Sequence, residues 1–320
     1  MKGLNNMKDI KIAMLGMVDQ NGHPYSWSAM FNGYDKEAME DCGYPVIPRY
    51  LEKEPDENFG IRGAKVTHIW TDDPADAIKV AKASKIDKIV EKCEDVIGNV
   101  DAVIIATDKG WEHVWRAKPF VEAGLPVFID KPLADNVEDL KTFIGWVKNG
   151  AKILSSSSLR YVKEYIPYYL STNELGELRY INMTMNKSWE RYGIHALEPV
   201  YRITGPGYVS VQNTGDENNN ILHLVHKNGI HVNLALIYDM AGSQLKIVGT
   251  KDSVCVPMKD SFYAFKTQLT KFVDFVEYGT EPYPFDETIE LMEIIIAGIR
   301  SREEGGRKVM LEEIRKEVEE

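Results

Sequence analysis

Two stretches decide the fold: Asp101-Ala-Val-Ile-Ile-Ala-Thr-Asp108, and further along the chain Gly124-Leu-Pro-Val-Phe-Ile-Asp130-Lys131-Pro132. Each contains a short apolar run that is typical of a strand buried on both faces, and residues 111–123 between them have the composition of a helix. Strand, helix and strand in this order predict a right-handed βαβ unit in a parallel sheet. The second strand ends at Lys131, and open α/β sheets bind their ligands at this end of the strands. We therefore expect Lys131 to lie beside a ligand crevice.

The alternation of strands and helices begins earlier in the chain. We predict strands at residues 9–16 and 64–71, and helices at 26–41 and 75–85. After predicted helices at about 134–149 and 161–173, with a strand at 151–157 between them, the strands follow one another directly. Lys227-Asn228-Gly229 marks a hairpin because Asn-Gly tolerates positive φ. The predicted fold is α/β, with a doubly wound parallel sheet in residues 1–132. Residues 133–320 are predicted to form an α/β domain with a large, mostly antiparallel open sheet.

The composition limits the classes of function. The chain has 320 residues, which suits two domains, and its net charge of −11 argues against nucleic acid or an anionic membrane as a partner. We find no apolar stretch long enough to cross a bilayer. The three cysteines are far apart and follow no metal-ligand spacing. We therefore predict a cytoplasmic protein with reduced thiols and no metal site.

Several motifs occur in an order that resembles a known family. They are Ala106-Thr107 followed by His113, Glu122-Ala-Gly-Leu-Pro-Val127, Asp130-Lys-Pro132, Leu159-Arg-Tyr161, Leu175-Gly-Glu-Leu178 and Tyr192-Gly-Ile-His195. In this order they resemble the glucose-fructose oxidoreductase, inositol dehydrogenase and rhizopine catabolism family (Gfo/Idh/MocA), which usually has Glu-Lys-Pro where this chain has Asp-Lys-Pro. The resemblance covers nearly the whole chain.

The resemblance implies a Rossmann domain followed by a domain with a large open sheet, which such proteins use for oligomer contacts. We therefore expect a homodimer or homotetramer. It also implies hydride transfer between a nicotinamide cofactor and a carbon of a sugar or cyclitol. By family position, Lys131 and His195 lie beside the substrate, Thr107 and His113 line the nicotinamide, and Asp130 belongs to the cofactor side of the same motif.

The first departure from the family lies in the loop after the first strand. The dinucleotide fingerprint Gly-x-Gly-x-x-Gly is missing, since Gly16 fits the tight turn but Val18 stands at the second glycine. A helix that starts near residues 24–26 would still offer free N–H groups to a phosphate, close to His23 and Ser26. His23 is equally well explained as a loop histidine in solvent.

The end of the second strand carries two acids. Asp72 or Asp73 could hold the hydroxyls of an adenosine ribose, although both could also be ordinary acids at a helix N-terminus. No lysine or arginine follows within several residues. This absence favours NAD(H) over NADP(H), because a 2′-phosphate would find no cation nearby in the sequence.

The second departure is Arg191, which replaces the acid that the family has four residues before its histidine. If Arg191 faces the site, a neighbouring cation would lower the pKa of Lys131 and favour the neutral amine. An inward guanidinium could also bind a carboxylate or phosphate of the substrate, which suggests an anionic substrate. If Arg191 faces solvent, it does neither.

Lys131 is the predicted general acid/base, assisted by His195, and Tyr192 could donate to a substrate hydroxyl. Arg160, Trp189 and Trp111 are candidates for the wall of the substrate site. Each of these residues also has a structural explanation, as a capped strand end, a satisfied polar group or a core aromatic. The predicted function is an NAD(H)-dependent oxidoreductase acting on a sugar, sugar acid or cyclitol.

Two other functions stay open. One is a redox-neutral enzyme that oxidises a sugar carbon transiently and then eliminates or cleaves a glycosidic bond. The other is a non-catalytic protein that senses a sugar or dinucleotide, which the missing glycines and Arg191 favour. Retention of Lys131 and His195 argues against it.

Overall fold

The computed structural model describes residues 9–320 and contains two sheets. The strands are β1 Ile10–Leu15, β2 Ala64–Trp70, β3 Lys88–Ile89, β4 Ala102–Ile105, β5 Val127–Ile129, β6 Ile153–Leu154, β7 Leu178–Asn186, β8 Tyr208–Asn213, β9 Asn219–His226, β10 His231–Ile237, β11 Gln244–Gly249, β12 Ser253–Pro257 and β13 Val309–Met310. The α-helices are α1 His23–Asn32, α2 Lys36–Glu40, α3 Val46–Leu51, α4 Pro74–Ala83, α5 His113–Glu122, α6 Val137–Lys148, α7 Ile166–Leu170, α8 Trp189–Thr204, α9 Ser261–Tyr278, α10 Phe285–Glu303 and α11 Leu311–Glu319.

The first sheet is parallel and has the strand order β3-β2-β1-β4-β5-β6. β4 and β5 are apolar along their length, and every residue of these two strands is buried. The strand order reverses between β1 and β4, so the crevice at the carboxyl ends of these two strands is the place where such sheets bind ligands. The predicted doubly wound parallel sheet is confirmed.

The parallel sheet extends beyond the predicted domain boundary. β6 pairs with β5, Val127 lying opposite Ile153 and Phe128 opposite Leu154. The helix that connects these two strands is α6, which packs against α5. The alternation of strand and helix thus continues for one more unit after Pro132, and a boundary at residue 132 divides the sheet.

The second sheet has the strand order β12-β11-β7-β10-β9-β8-β13. Of its pairs only β7 with β10 is parallel, so the predicted mostly antiparallel sheet is confirmed. Residues alternate between buried and more exposed along β9 and β10, because α8 and α10 pack on one face of the sheet. Through α8 this sheet positions the second half of the candidate site.

The predicted helix at 26–41 is instead two helices. α1 begins earlier, at His23, and ends where Gly33 takes a φ of +72° that continues no α-helix. Asp35 then caps α2 by accepting a hydrogen bond from the backbone N–H of Ala38. Glycine followed two residues later by an N-cap acid is the sequence signal for this break.

α9 and α10 are the longest helices, and within residues 9–320 no helix has both the length and the apolar character needed to cross a bilayer.

α10 carries an unusual buried acid, Glu293, whose carboxylate accepts a hydrogen bond from the Arg315 guanidinium at 3.0 Å. Burial outweighs the attraction of Arg315 and raises the pKa of Glu293 to about 7. Between about pH 4.5 and pH 7, the folded protein therefore keeps a proton on Glu293 that the unfolded chain has already released.

We expect the free energy of unfolding to lose a contribution from Glu293 as the pH rises through about 7, because the folded state then releases a proton that it binds more tightly than the unfolded chain. Glu293→Gln should match the wild type at pH 4 and exceed its stability by about 3 kcal/mol at pH 8.5, because the pKa rises from 4.5 to about 7 and each pKa unit is worth about 1.4 kcal/mol. Urea unfolding at both pH values measures this difference. Glu317→Gln, which removes a half-exposed partner of Arg300, is the control. A Glu293→Gln effect independent of pH would contradict the assignment.

Candidate active site

Lys131 lies at the carboxyl end of β5, directly after Asp130, and its side chain is almost completely buried. Its ammonium donates to the carboxylate Oδ2 of Asp108 at 3.3 Å and to the backbone oxygen of Arg191 at 3.3 Å. The same ammonium lies 4.5 Å from the centre of the Tyr192 ring. The first sheet thus positions Lys131 and Asp108, and the start of α8 places Arg191 and Tyr192 beside them.

Asp108 is the site residue that the sequence reasoning missed. It follows β4, the strand next to β5, so its carboxylate reaches the same sheet edge as Lys131. Burial opposes ionisation, but the Lys131 ammonium and the Arg191 guanidinium outweigh it and hold the pKa of Asp108 below its usual range. The available signal was its position, an acid at the end of the apolar run.

Arg191 faces the site and binds the same carboxylate. Its Nη2 donates to Asp108 Oδ1 at 2.6 Å, and Nε donates to the same oxygen at 3.2 Å. Nη2 also donates to the backbone oxygen of Asp19 at 3.0 Å. The guanidinium is therefore already paired with a carboxylate inside the protein.

The expected effect of Arg191 on Lys131 is wrong in sign. Burial lowers the pKa of the Lys131 ammonium, but the carboxylates of Asp108 and Asp130 outweigh burial and raise that pKa above the usual lysine value. The prediction of a lowered pKa for Lys131 took account of Arg191 but not of Asp108, the acid that Arg191 binds. With Asp108 between the two cations, Lys131 is charged at neutral pH.

His195 lies on α8 and is buried, with Nδ1 2.6 Å from the hydroxyl oxygen of Ser157. Burial, reinforced by the Lys131 ammonium, lowers the pKa of His195 well below its usual value. The imidazole is therefore neutral at neutral pH. Ser157 also accepts a hydrogen bond from the backbone N–H of Leu159, which fixes the hydroxyl beside the ring.

Tyr192 connects the groups of the site. Its ring packs edge-on against His195, with ring centres 4.8 Å apart. The ammonium groups of Lys131 and Lys187 lie 4.5 Å and 4.4 Å from the ring centre, and Lys187 donates to the tyrosine hydroxyl at 2.7 Å. The three predicted catalytic residues, Lys131, His195 and Tyr192, are thus brought together.

Asp130 is completely buried and holds the loop before α1 against the sheet. Its Oδ2 accepts from the Asn21 amide at 3.0 Å and lies 2.5 Å from Nδ1 of His23, while Oδ1 accepts from the backbone N–H of Lys131 at 2.8 Å. His23, predicted either beside a phosphate or in solvent, is instead a partner of this buried carboxylate.

The loop of residues 16–22 folds over the carboxyl ends of the strands. Gly16 has a φ of +82°, and a Cβ there would lie 2.7 Å from Cγ2 of Thr107, so the tight turn requires glycine. The expected free N–H groups of α1 are engaged: that of His23 donates to Asn21 Oδ1, and those of Tyr25 and Ser26 donate to the oxygen of Gly22. Of the other two residues predicted here, Val18 is nearly buried and Ser26 completely so.

Asp72 and Asp73 have different environments. Asp73 caps α4, accepting from the backbone N–H of Ala75 at 2.9 Å. Asp72 remains partly exposed and accepts from Arg116 Nη2 at 2.8 Å and from the backbone N–H of Met17 at 3.2 Å. Sequence proximity did not reveal this cation, because Arg116 reaches Asp72 from α5.

A small cavity of about 60 Å³ lies beside Arg116, and its lining includes Gly16, Trp70 and Trp115. This volume is too small for an adenosine. The donors at the start of α1, which would meet the pyrophosphate in a Rossmann fold, are already used by the protein. In this conformation those donors do not receive the phosphates of the cofactor, while the partly exposed Asp72 carboxylate remains open to a ribose hydroxyl.

The remaining predicted residues do not face the site. Trp189 is completely buried, with its indole N–H donating to the oxygen of Ile295, so it belongs to the core and not to a substrate wall. Arg160 is buried against Glu198 and Glu287. Its guanidinium is therefore not free for a substrate.

The motif residues of β4 and α5 also differ from expectation. His113 is buried with one ring nitrogen 2.7 Å from the oxygen of Thr107 and the other 3.1 Å from that of Leu133, so it joins two backbone segments. Thr107 keeps a buried hydroxyl without a partner, beside the Gly16 turn. Trp111 is half exposed. In the described part of the chain no three metal-binding side chains cluster.

Comparison with known proteins agrees with this arrangement. Residues 42–157 match the family model GFO_IDH_MocA, described as an oxidoreductase family with an NAD-binding Rossmann fold. The resemblance predicted from the sequence is thereby confirmed for residues 42–157. The match contains Asp108 and Lys131 but begins after the loop of residues 16–22, and a search of curated proteins found no match to the chain.

Solved structures share the fold of this protein along almost the whole chain. The myo-inositol 2-dehydrogenase of Lactobacillus plantarum aligns with a TM-score of 0.75 at 16% identity, covering 95% of this chain and 99% of that one. The scyllo-inositol dehydrogenase of Lactobacillus casei, solved with NAD(H) and scyllo-inositol, aligns at 0.72 and 14%, covering 95% and 100%. An Agrobacterium radiobacter oxidoreductase, solved with NAD⁺, L-tartaric acid and magnesium, aligns at 0.73 and 15%, covering 96% and 100%. At these identities the comparison establishes the fold.

We expect Asp108→Asn to lower the pKa of Lys131, because burial and the unpaired Arg191 guanidinium then both oppose the ammonium. The ¹³Cε chemical shift of Lys131 in lysine-labelled protein, assigned with Lys131→Met, follows its titration. Asp101→Asn, which removes a carboxylate from the opposite end of the same strand, is the matched control and should leave the titration unchanged. A Lys131 titration that is equal in the wild type and Asp108→Asn would refute the assigned partnership.

Proposed function

We propose that this protein is an NAD(H)-dependent oxidoreductase that acts on a hydroxyl-bearing carbon of a sugar, sugar acid or cyclitol. The observation that carries the proposal is the buried Lys131 ammonium, which binds the Asp108 carboxylate and shares the Tyr192 ring with the neutral His195 imidazole. The family model, and the sugar-like ligands named for two structural neighbours, support the same chemistry. The bound nicotinamide would supply the hydride donor or acceptor.

Proton transfer would fall to Lys131. Since its pKa is raised, the ammonium is the resting form, suited to donate a proton to the oxygen of a carbonyl as it becomes a hydroxyl. In the opposite direction, Lys131 must first lose that proton before it can accept one from a substrate hydroxyl. The geometry therefore favours reduction near neutral pH, and oxidation at alkaline pH.

His195 would assist by hydrogen bonding. The neutral ring has one nitrogen beside Ser157, which leaves the other nitrogen to contact a substrate hydroxyl. Asp108 would replace the acid that the family has at the position of Arg191. It would hold the charge of Lys131 from β4, while Arg191 holds Asp108 in place.

The cofactor would bind along the carboxyl ends of β1, β2 and β4. Asp72 is the proposed partner of the adenosine ribose, and its carboxylate would repel a 2′-phosphate, which favours NAD(H) over NADP(H). The Arg116 guanidinium moderates this preference because it neutralises Asp72. We also propose a homodimer or homotetramer, on the family resemblance alone, and a cytoplasmic location, on the three widely separated cysteines.

A non-catalytic binding protein is the second candidate. The observation that favours it is the occupied N-terminus of α1, where Asn21 accepts the N–H of His23 that a phosphate would otherwise receive. If the loop of residues 16–22 keeps this conformation, a dinucleotide cannot use these donors. Cofactor binding therefore separates the two candidates.

The first test is titration calorimetry of the full-length protein with NAD⁺, NADH and NADPH, after a check for copurified cofactor. We expect micromolar binding of NAD(H), and NADH-dependent or NAD⁺-dependent turnover in a panel of inositols, tartrate and gluconate. Lys131→Met should retain NADH binding and lose turnover by about 100-fold or more, the usual contribution of a general acid or base. Absence of dinucleotide binding, with none copurified, would move the conclusion to the second candidate.

The second test compares the two acids at the end of β2. Asp72→Ala should weaken NADH binding and strengthen NADPH binding, because it removes a ribose partner and frees the Arg116 guanidinium for a 2′-phosphate. Asp73→Ala removes only the cap of α4, at about 1 kcal/mol of stability, and should leave the preference between the two cofactors unchanged. Equal changes in both variants would argue against Asp72 as the ribose ligand. The same calorimetry measures all four affinities.

A further inference from the structure

Lys187 occupies a strained backbone position beside the candidate site. It lies between β7 and α8 with a φ of +62°, a conformation that L-residues other than glycine, asparagine and aspartate rarely adopt. Such positions persist only where the surrounding structure fixes them, and they cluster at functional sites. Here the backbone N–H of Lys187 donates to the oxygen of Tyr238 on the neighbouring segment after β10.

The Lys187 ammonium is held without a carboxylate. It donates to the hydroxyl of Tyr192 at 2.7 Å and to the backbone oxygen of Gln20 at 3.3 Å. Within residues 9–320, no carboxylate oxygen lies within 4.0 Å of it. By contrast, Lys131 and Arg191 both bind Asp108. Of the three cations that surround Tyr192, Lys187 is the one whose charge the described protein leaves unpaired.

Lys187 is also accessible from solvent. It borders an open cavity of about 710 Å³, whose wall includes the acids Asp19, Asp41 and Asp76 and a second ammonium, that of Lys79. Lys187 contacts Tyr192, and the Tyr192 ring in turn contacts Lys131 and His195. Lys187 therefore connects the wall of this cavity to the buried groups of the candidate site.

We propose that Lys187 is a specificity residue that binds a carboxylate of the substrate, so that the substrate is a sugar acid. This inference rests on the proposed function for the identity of the reacting carbon. The carboxylate would replace the Gln20 backbone oxygen as the acceptor of the Lys187 ammonium, a neutral acceptor giving way to a charged one. Arg191, the residue that the sequence suggested for this role, is neutralised by Asp108.

The test compares a dianionic and a neutral probe, L-tartrate and scyllo-inositol, by calorimetry on the full-length protein with and without NADH. The wild type should bind tartrate more tightly than scyllo-inositol. Lys187→Met should weaken tartrate binding by about tenfold or more, as expected for a lost hydrogen bond to a charged group, and leave scyllo-inositol unchanged. Lys187→Arg should retain part of the tartrate affinity.

Lys79→Met is the matched control, since it removes an ammonium from the same cavity without contact to Tyr192. It should leave both probes unchanged. Tartrate that binds no tighter than scyllo-inositol to the wild type, equal losses for both probes in Lys187→Met, or an equal tartrate loss in Lys79→Met would overturn the proposal. Failure of the proposed function would appear separately, as absence of NADH binding in the same experiment. The comparison of tartrate with scyllo-inositol without NADH would still test the role of Lys187.

Discussion

A buried ammonium is the constraint around which this site is arranged. Moving an unpaired charge such as that of Lys131 into the protein interior costs several kcal/mol, so a lysine at the end of β5 stays charged only with a carboxylate beside it. Asp108 supplies that carboxylate from the adjacent strand, and Arg191 supplies the second cation that keeps Asp108 ionised. The arrangement couples the first sheet to α8, since two of the three charges come from strand ends and the third from the first turn of that helix.

The loop of residues 16–22 depends on the same charges. Arg191 and Lys187 donate to consecutive backbone oxygens of this loop, those of Asp19 and Gln20, while Asn21 is bound to Asp130. The loop therefore joins Asp130, at the end of β5, to Lys187 and Arg191 near the start of α8. Backbone oxygens are weaker partners for these cations than phosphate or carboxylate oxygens.

The sequence predicted most of the fold because its signals are local. Apolar runs such as that before Asp108, the hairpin at Asn228-Gly229 and the Asp-Lys-Pro ending of β5 each depend on a few neighbouring residues. Both sheets followed from these signals, whereas the meeting of Lys131, His195 and Tyr192 was what the family resemblance implied. The strand that contains β6 was predicted, at residues 151–157, but its pairing with β5 was not, because a strand's neighbours in a sheet are not encoded by its own few residues.

The sequence did not reveal the contacts between residues that are far apart in the chain. Arg191 is 83 residues from Asp108. Its inward orientation was one of the two that the sequence left open, and the neutralisation of its charge was not foreseen. The same holds for Asp72 and Arg116, and for Trp189, whose indole is bound to Ile295 in the core. A charge argument made from one residue has the wrong sign when its partner lies on another element: Arg191 alone would discharge Lys131, but with Asp108 between them the lysine keeps its proton. In this protein the exchange of an acid for an arginine on α8 is therefore compatible with an intact proton donor, provided that the carboxylate arrives from β4.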